Sequence, residues 1–169
     1  HDGGRFFVGL SLPTSSEVGY RGEPTAMDAG GAVNGVKDGI YSFHTNLEPN
    51  PWWQVDLGSP TAIGKIVVYN RLDYQPGLHN ADNLLILTSD DGTAWTLRYD
   101  NQGKYFGGAK DEKPLIVEAD TLSRGRDEGP VKARFVRLQV ASDKPIFFHL
   151  DEVEVHSVGA ESKNVALGR

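Results

Sequence analysis

Apolar residues recur along this chain with the period of a strand, and no segment sustains the period of a helix. The stretch NPWWQVDLG, Asn50 to Gly58, sets the pattern. Successive side chains of a strand point to opposite faces, so Trp53, Val55 and Leu57 share one face and Trp52, Gln54 and Asp56 the other. Trp53 is therefore read as core, while Trp52, beside two polar residues, covers an edge or lies under a loop. Further strands are predicted at Ile63 to Tyr69, Leu84 to Thr88, Trp95 to Tyr99, Pro114 to Val117, Arg134 to Val140 and Phe147 to Val155. The last has room for a bulge near Asp151 and Glu152. SDDG, Ser89 to Gly92, is a turn signal. MDAGGAV, Met27 to Val33, offers a single turn of helix at most, because Gly30 and Gly31 disfavour more. Short strands separated by turn residues predict an all-β sandwich.

Composition narrows the class. A chain of 169 residues is one domain by default. Its 20 Gly and 9 Pro suit a turn-rich β domain. The net charge is -6 and no basic stripe carries interleaved aromatics, so nucleic acid is not an expected partner. No apolar run approaches the roughly 18 residues of a membrane helix, and membrane insertion is not expected. The absence of cysteine removes disulfides, thiol nucleophiles and thiolate metal sites, and does not by itself place the protein in the cytosol. The chain opens at His1 with no Met and no signal-peptide pattern, which reads as a processed or truncated start. Catalytic signatures are missing. Asp90 and Asp91 sit together in a turn, and His1, His44, His79, His149 and His156 show no metal-ligand spacing.

Five motifs in order, NPWWQVDLG, IGKIVVYNRLD, LTSDDGTAW, ARFVRLQV and HLDEVEVHS, resemble the coagulation factor 5/8 C-terminal, or discoidin, domain family. HTNLEPNPWWQVDL with YNRLD is most similar to its fucolectin and bacterial carbohydrate-binding-module branch. The resemblance spans about Gly30 to Ser157. It implies a jelly-roll, galactose-binding-domain-like β-sandwich of about eight strands with loops gathered at one end. The domain is accordingly placed at residues 30–158. Residues 1–29 form an N-terminal extension or added edge strand, with RFFVGLSL read as a strand. Residues 159–169 are a linker or the start of a further module, since SKNVALGR resembles another opening of this kind.

The resemblance also implies a sugar pocket. A hydroxyl is both donor and acceptor, so such a pocket needs fixed charged donors and an apolar surface for the ring. His44, in the H-T step before N-P-W-W, matches the family's histidine. Arg71 matches its first arginine, and Asp73 the acid that holds that arginine. The second arginine would fall near Leu78 or His79, where the loop PGLHN departs from the pattern, and His79 is the candidate replacement. Tyr41, Phe43 and Tyr74 are candidate walls. A calcium ion is implied as well, held by the carbonyls of Gly31, Val36 and Asp151 with Asn34, Ser42 and Glu152. Asn34 stands where the family carries an acid, and Asp38 is a spare carboxylate nearby. The expected function is a non-catalytic carbohydrate-binding module for a terminal fucose- or galactose-like sugar of cell-surface glycans. It would be linked to neighbouring domains of a larger glycan-active protein that is secreted, periplasmic or at the cell surface. The alternatives are a protein- or phospholipid-binding module, with Ile40, Tyr41, Phe43 and Leu78 as apolar tips, and a ligand-free spacer.

Overall fold

The computed structural model describes residues 12–169. Its organising element is one long strand, β2 (Trp52–Tyr69). Trp53, Val55 and Leu57 of β2 are buried, as their shared face predicts. The first part of β2 pairs with β6 (Lys132–Val140), from Trp52 opposite Gln139 to Asp56 opposite Phe135. The register then shifts between Asp56 and Thr61. Thr61 and Ala62 still face β6, and from Ile63 and Lys65 onward β2 lies between β8 (Glu152–Ser157) and β5 (Leu115–Glu118). A single strand therefore serves both layers of the sandwich, and an irregularity in the ladder re-aims it without ending it. The two sequence segments predicted as separate strands are its two halves.

On the far side of β6 lie β3 (Leu84–Ser89) and then β4 (Thr96–Asp100), all antiparallel. In the turn between them Asp91 Oδ1 accepts the Thr93 and Ala94 N–H groups at 2.8 and 2.9 Å, so this aspartate closes a turn. The fold is an all-β, discoidin-like jelly roll. Its core holds Phe43, Trp53, Ile66, Ile86, Leu138, Phe148 and Val155.

Two short elements prepare the site. The Gly-rich stretch forms a helix, Thr25–Gly30, followed by a 3-10 turn, Gly31–Val33. The Trp53 indole N–H donates to the Ala29 carbonyl at 3.0 Å and ties this helix to β2. The strand predicted from Phe147 to Val155 breaks at Asp151 into β7 (His149–Leu150) and β8. β7 pairs with β1 (Phe43–His44), which sets His44 opposite His149.

The chain ends also take part. Ser15 N–H donates to the Trp52 carbonyl, and Gln54 N–H to that of Pro13, so residues 13–15 run beside the start of β2. Most of RFFVGLSL lies outside the described residues. The tail, expected as a linker or the start of a further module, turns back along β8. Val165 N–H donates to the Val155 carbonyl at 2.8 Å and Ala166 is fully buried. This covers a strand edge that would otherwise stay unpaired. Among the described residues no helix is long and apolar enough to cross a membrane.

Candidate functional site

A cavity of about 510 Å³ opens beside the β1–β7 pair. Tyr20, Tyr41, His44, Arg71, Tyr74 and His149 are among its lining residues, with Asn80 and Phe147. Arg71 follows directly on the end of β2 by two residues and is almost wholly buried, at 5% exposure. Its Nε and Nη2 donate to the two Asp73 carboxylate oxygens at 2.7 and 3.0 Å. The guanidinium also lies 4.5 Å from the Tyr41 ring centre and 5.3 Å from that of Tyr74. The fork and the two rings fix its plane, and Nη1 is left out of the Asp73 pair.

His44 is buried beside it, and its Nδ1 lies 2.7 Å from the Thr45 carbonyl oxygen. A carbonyl only accepts, so Nδ1 carries the proton and Nε2 is an acceptor. Burial holds His44 below its ordinary pKa, and Arg71 works in the same direction. His149 behaves likewise: burial, then Arg71 and His44, push it down to about 3. The site therefore combines one fixed cation, neutral imidazoles and aromatic walls. The main-chain N–H of His44 donates to Asp28 Oδ1 at 3.0 Å, which ties the histidine to the short helix.

Of the residues expected at a sugar site, the cavity brings together His44, Arg71, Tyr41 and Tyr74, with Asp73 behind Arg71. Two expectations are corrected. Phe43 is fully buried and packs edge-on to Phe148 at 5.0 Å, because alternation along β1 turns it into the core while His44 faces the cavity. His79 stands outside the cavity lining, two-thirds exposed, with Nδ1 2.8 Å from Asp82 Oδ2. Its loop folds into the 3-10 turn Gln75–Gly77, which presents Asn80 to the cavity instead. Tyr20, Asn80, Phe147 and His149 were not expected. GYRG around Tyr20 is a turn signal in the sequence; Asn80 enters through the local 3-10 turn, and Phe147 and His149 come from a distant segment of the chain.

The residues expected to hold calcium converge in part. A Cβ on Gly31 would stand 1.9 Å from the Ser42 carbonyl oxygen, so only glycine permits this approach. Ser42 Oγ donates to the Asp151 carbonyl. Glu152 is fully buried; one oxygen accepts the Gly35 N–H at 2.6 Å and the other, Oε1, has no protein partner. Burial pushes its carboxyl up to about 8, and that of Asp151 up to about 6. Asn34 Oδ1 instead accepts the Val36 N–H at 2.8 Å in a local turn. No cluster of three or more His, Cys, Asp or Glu side chains suited to a metal occurs among the described residues, so a cation here would rest on backbone carbonyls and Glu152. The unpartnered Glu152 oxygen fits such an ion.

The jelly roll and its loop-end cavity define a galactose-binding-domain-like module. The chain belongs to the F5/8 type C family in its NedA-like, galactose-binding-domain form, which matches residues 31–120. Among solved structures it is similar to a fucose-binding module of Streptococcus pneumoniae, with a TM-score of 0.60 and 22% identity over 90% of this chain and 98% of that one. The lectin domain of lectinolysin, solved with Lewis B antigen, gives a TM-score of 0.59 and 23% identity over 90% and 96%. A GH29 fucosidase of Ruminococcus gnavus, solved with fucose, matches at 0.60 and 17% identity over 91% of this chain and 25% of its own. No curated protein matches the chain in sequence.

Proposed function

We propose that this chain is a non-catalytic carbohydrate-binding module that seats a terminal, neutral sugar, fucose- or galactose-like, in the cavity between Arg71 and His44. The observation that carries the reading is Arg71: a nearly buried guanidinium, clamped by Asp73 and two tyrosines, at the edge of an open cavity. A fixed donor of this kind binds a hydroxyl without first being ordered. His44 Nε2 supplies the complementary acceptor, and Tyr41 and Tyr74 offer ring faces to sugar C–H groups. The Arg71 charge is matched by Asp73, which favours a neutral ligand over an acidic one.

The fucose-binding module and the lectin domain solved with Lewis B antigen, both of the same fold, support this ligand class. The fucosidase, much longer than this chain, supports a place beside catalytic domains; a secreted, periplasmic or surface protein is the setting we propose for such a module. A calcium ion at Glu152, Ser42, Gly31 and the Asp151 carbonyl would have a structural role, pinning the loop that leads into β1 and His44. The test is a glycan-array screen of the wild type, Arg71→Ala and His44→Ala, with calcium and with a chelator. Binding to terminal fucose or galactose that both substitutions abolish supports the reading. A correctly folded wild type that captures no glycan in either condition overturns it.

A further inference from the structure

We propose that the turn at residues 19–22 is a specificity element of this site, in which Tyr20 and Arg21 receive the sugar next to the terminal one in an oligosaccharide. The inference rests on the carbohydrate reading and adds a second subsite to it. Residues 19–22 precede the part of the chain that matches the family. They form a tight turn: the Gly22 N–H donates to the Gly19 carbonyl at 2.9 Å, and Gly22 takes a φ of 88°. Tyr20 and Arg21 are its two central residues and stand at its tip.

The turn is fixed to the site. The Tyr20 N–H donates to the His44 carbonyl at 3.0 Å, and Asn46 Nδ2 donates to the Val18 carbonyl at 2.5 Å. The Tyr20 ring stacks on the His44 imidazole at 4.3 Å and meets Phe147 edge-on at 5.5 Å. The Arg21 guanidinium lies 5.0 Å from the Tyr41 ring, whose centre is 4.5 Å from that of Arg71. One tyrosine of the cavity wall thus has two guanidinium neighbours, one buried and one at the rim.

Both tip residues remain open to solvent despite this anchoring. Tyr20 is 55% exposed, and the Arg21 side chain 56%. Glu23 Oε1 forms an ion pair with Arg21 Nε at 3.7 Å, too long for a hydrogen bond, so the pairing leaves the guanidinium N–H groups able to donate. A pre-ordered aromatic face beside a guanidinium that spends no N–H hydrogen bond on Glu23 suits a sugar ring with flanking hydroxyls. The Arg71 end of the cavity would take the terminal residue, and the Tyr20–Phe147 end the next.

The test is calorimetric titration of wild type, Tyr20→Ala and Arg21→Ala with methyl fucoside, methyl galactoside and trisaccharides that end in each sugar. In Arg21→Ala, affinity for the monosaccharides is expected to stay within about twofold while the trisaccharide affinity falls roughly tenfold, the scale of one good charge-assisted contact; Tyr20→Ala, which also removes a wall of the cavity and the stack on His44, is expected to lose more on the trisaccharides than on the monosaccharides. Tyr20→Phe keeps the ring and is expected to keep trisaccharide binding. An equal loss on monosaccharide and trisaccharide would show that the turn only braces His44, and unchanged trisaccharide affinity would show that it does nothing; either overturns the subsite and leaves the first reading intact. A folded wild type that binds none of these sugars overturns both.

Discussion

Arg71 does its work through geometry more than charge. Lysine at this position keeps the charge but cannot span both Asp73 oxygens, nor lie flat between Tyr41 and Tyr74. Arg71→Lys is therefore expected to weaken binding of an array-identified glycan about tenfold or more, nearly as much as Arg71→Ala. Titration calorimetry reads this directly, and wild-type affinity in the lysine variant would refute the clamp. Asp28 gives a second residue-scale prediction. Burial, with Glu23 beside it, pushes its carboxyl up to about 7, against the His44 N–H that favours the anion and the Arg21 charge nearby. A folded-state value above the ordinary 3.8 means that the folded chain holds a proton the unfolded chain has released. The Asp28 contribution to stability is complete below about pH 4 and is lost as the pH rises through about 7. Thermal melts from about pH 5 to about pH 8 should show a smaller decline for Asp28→Asn than for wild type. Identical slopes would mean that Asp28 is already ionised in the folded chain.

Strand β2 shows what the sequence disclosed and what it could not. Period-two alternation put Trp53, Val55 and Leu57 on the buried face correctly, because burial of one sheet face forces that pattern. Truncation of Trp53, which fills the core and holds Ala29, is expected to cost about 3–5 kcal/mol in urea unfolding of Trp53→Ala. A cost below about 1 kcal/mol would deny it that place. Other facts at this scale depend on pairing between distant segments. The continuity of β2 rests on a register shift against β6 between Asp56 and Thr61 and on a change of partner from Ile63, and His149 reaches the cavity only because β7 pairs with β1. Local pattern carries neither. The same limit explains Phe43 and His79. Phe43, a candidate wall in the sequence, directly precedes His44, and adjacent strand residues face opposite ways. His79 was placed by loop position, and the 3-10 turn Gln75–Gly77 sends Asn80 inward in its stead. Trp52 was open between edge and cover; it is half-buried, with the Arg137 guanidinium held at 4.1 Å from its ring and 4.2 Å from that of Trp95.

For the whole molecule, the cavity is assembled from the two ends of the chain and its middle. Tyr20 comes from before the family-matched segment, Arg71 from within it and His149 from after it. Such a site depends on the loops at this end holding one arrangement, and the fully buried Glu152 lies at their base, bonded to the Gly35 N–H. A cation that satisfies its unpartnered Oε1 would bind the folded chain and not the unfolded one, and so raise the melting temperature as its concentration rises. Millimolar calcium is expected to raise the midpoint of wild type by several degrees, a chelator to reverse it, and Glu152→Gln to abolish the response. The glutamine keeps the size and an acceptor for Gly35, so it separates loss of charge from loss of packing. If calcium leaves the wild-type midpoint where it is, no calcium ion answers the buried glutamate. In that case Glu152→Gln should itself stabilise the chain, because it removes an acid whose charge the interior opposes.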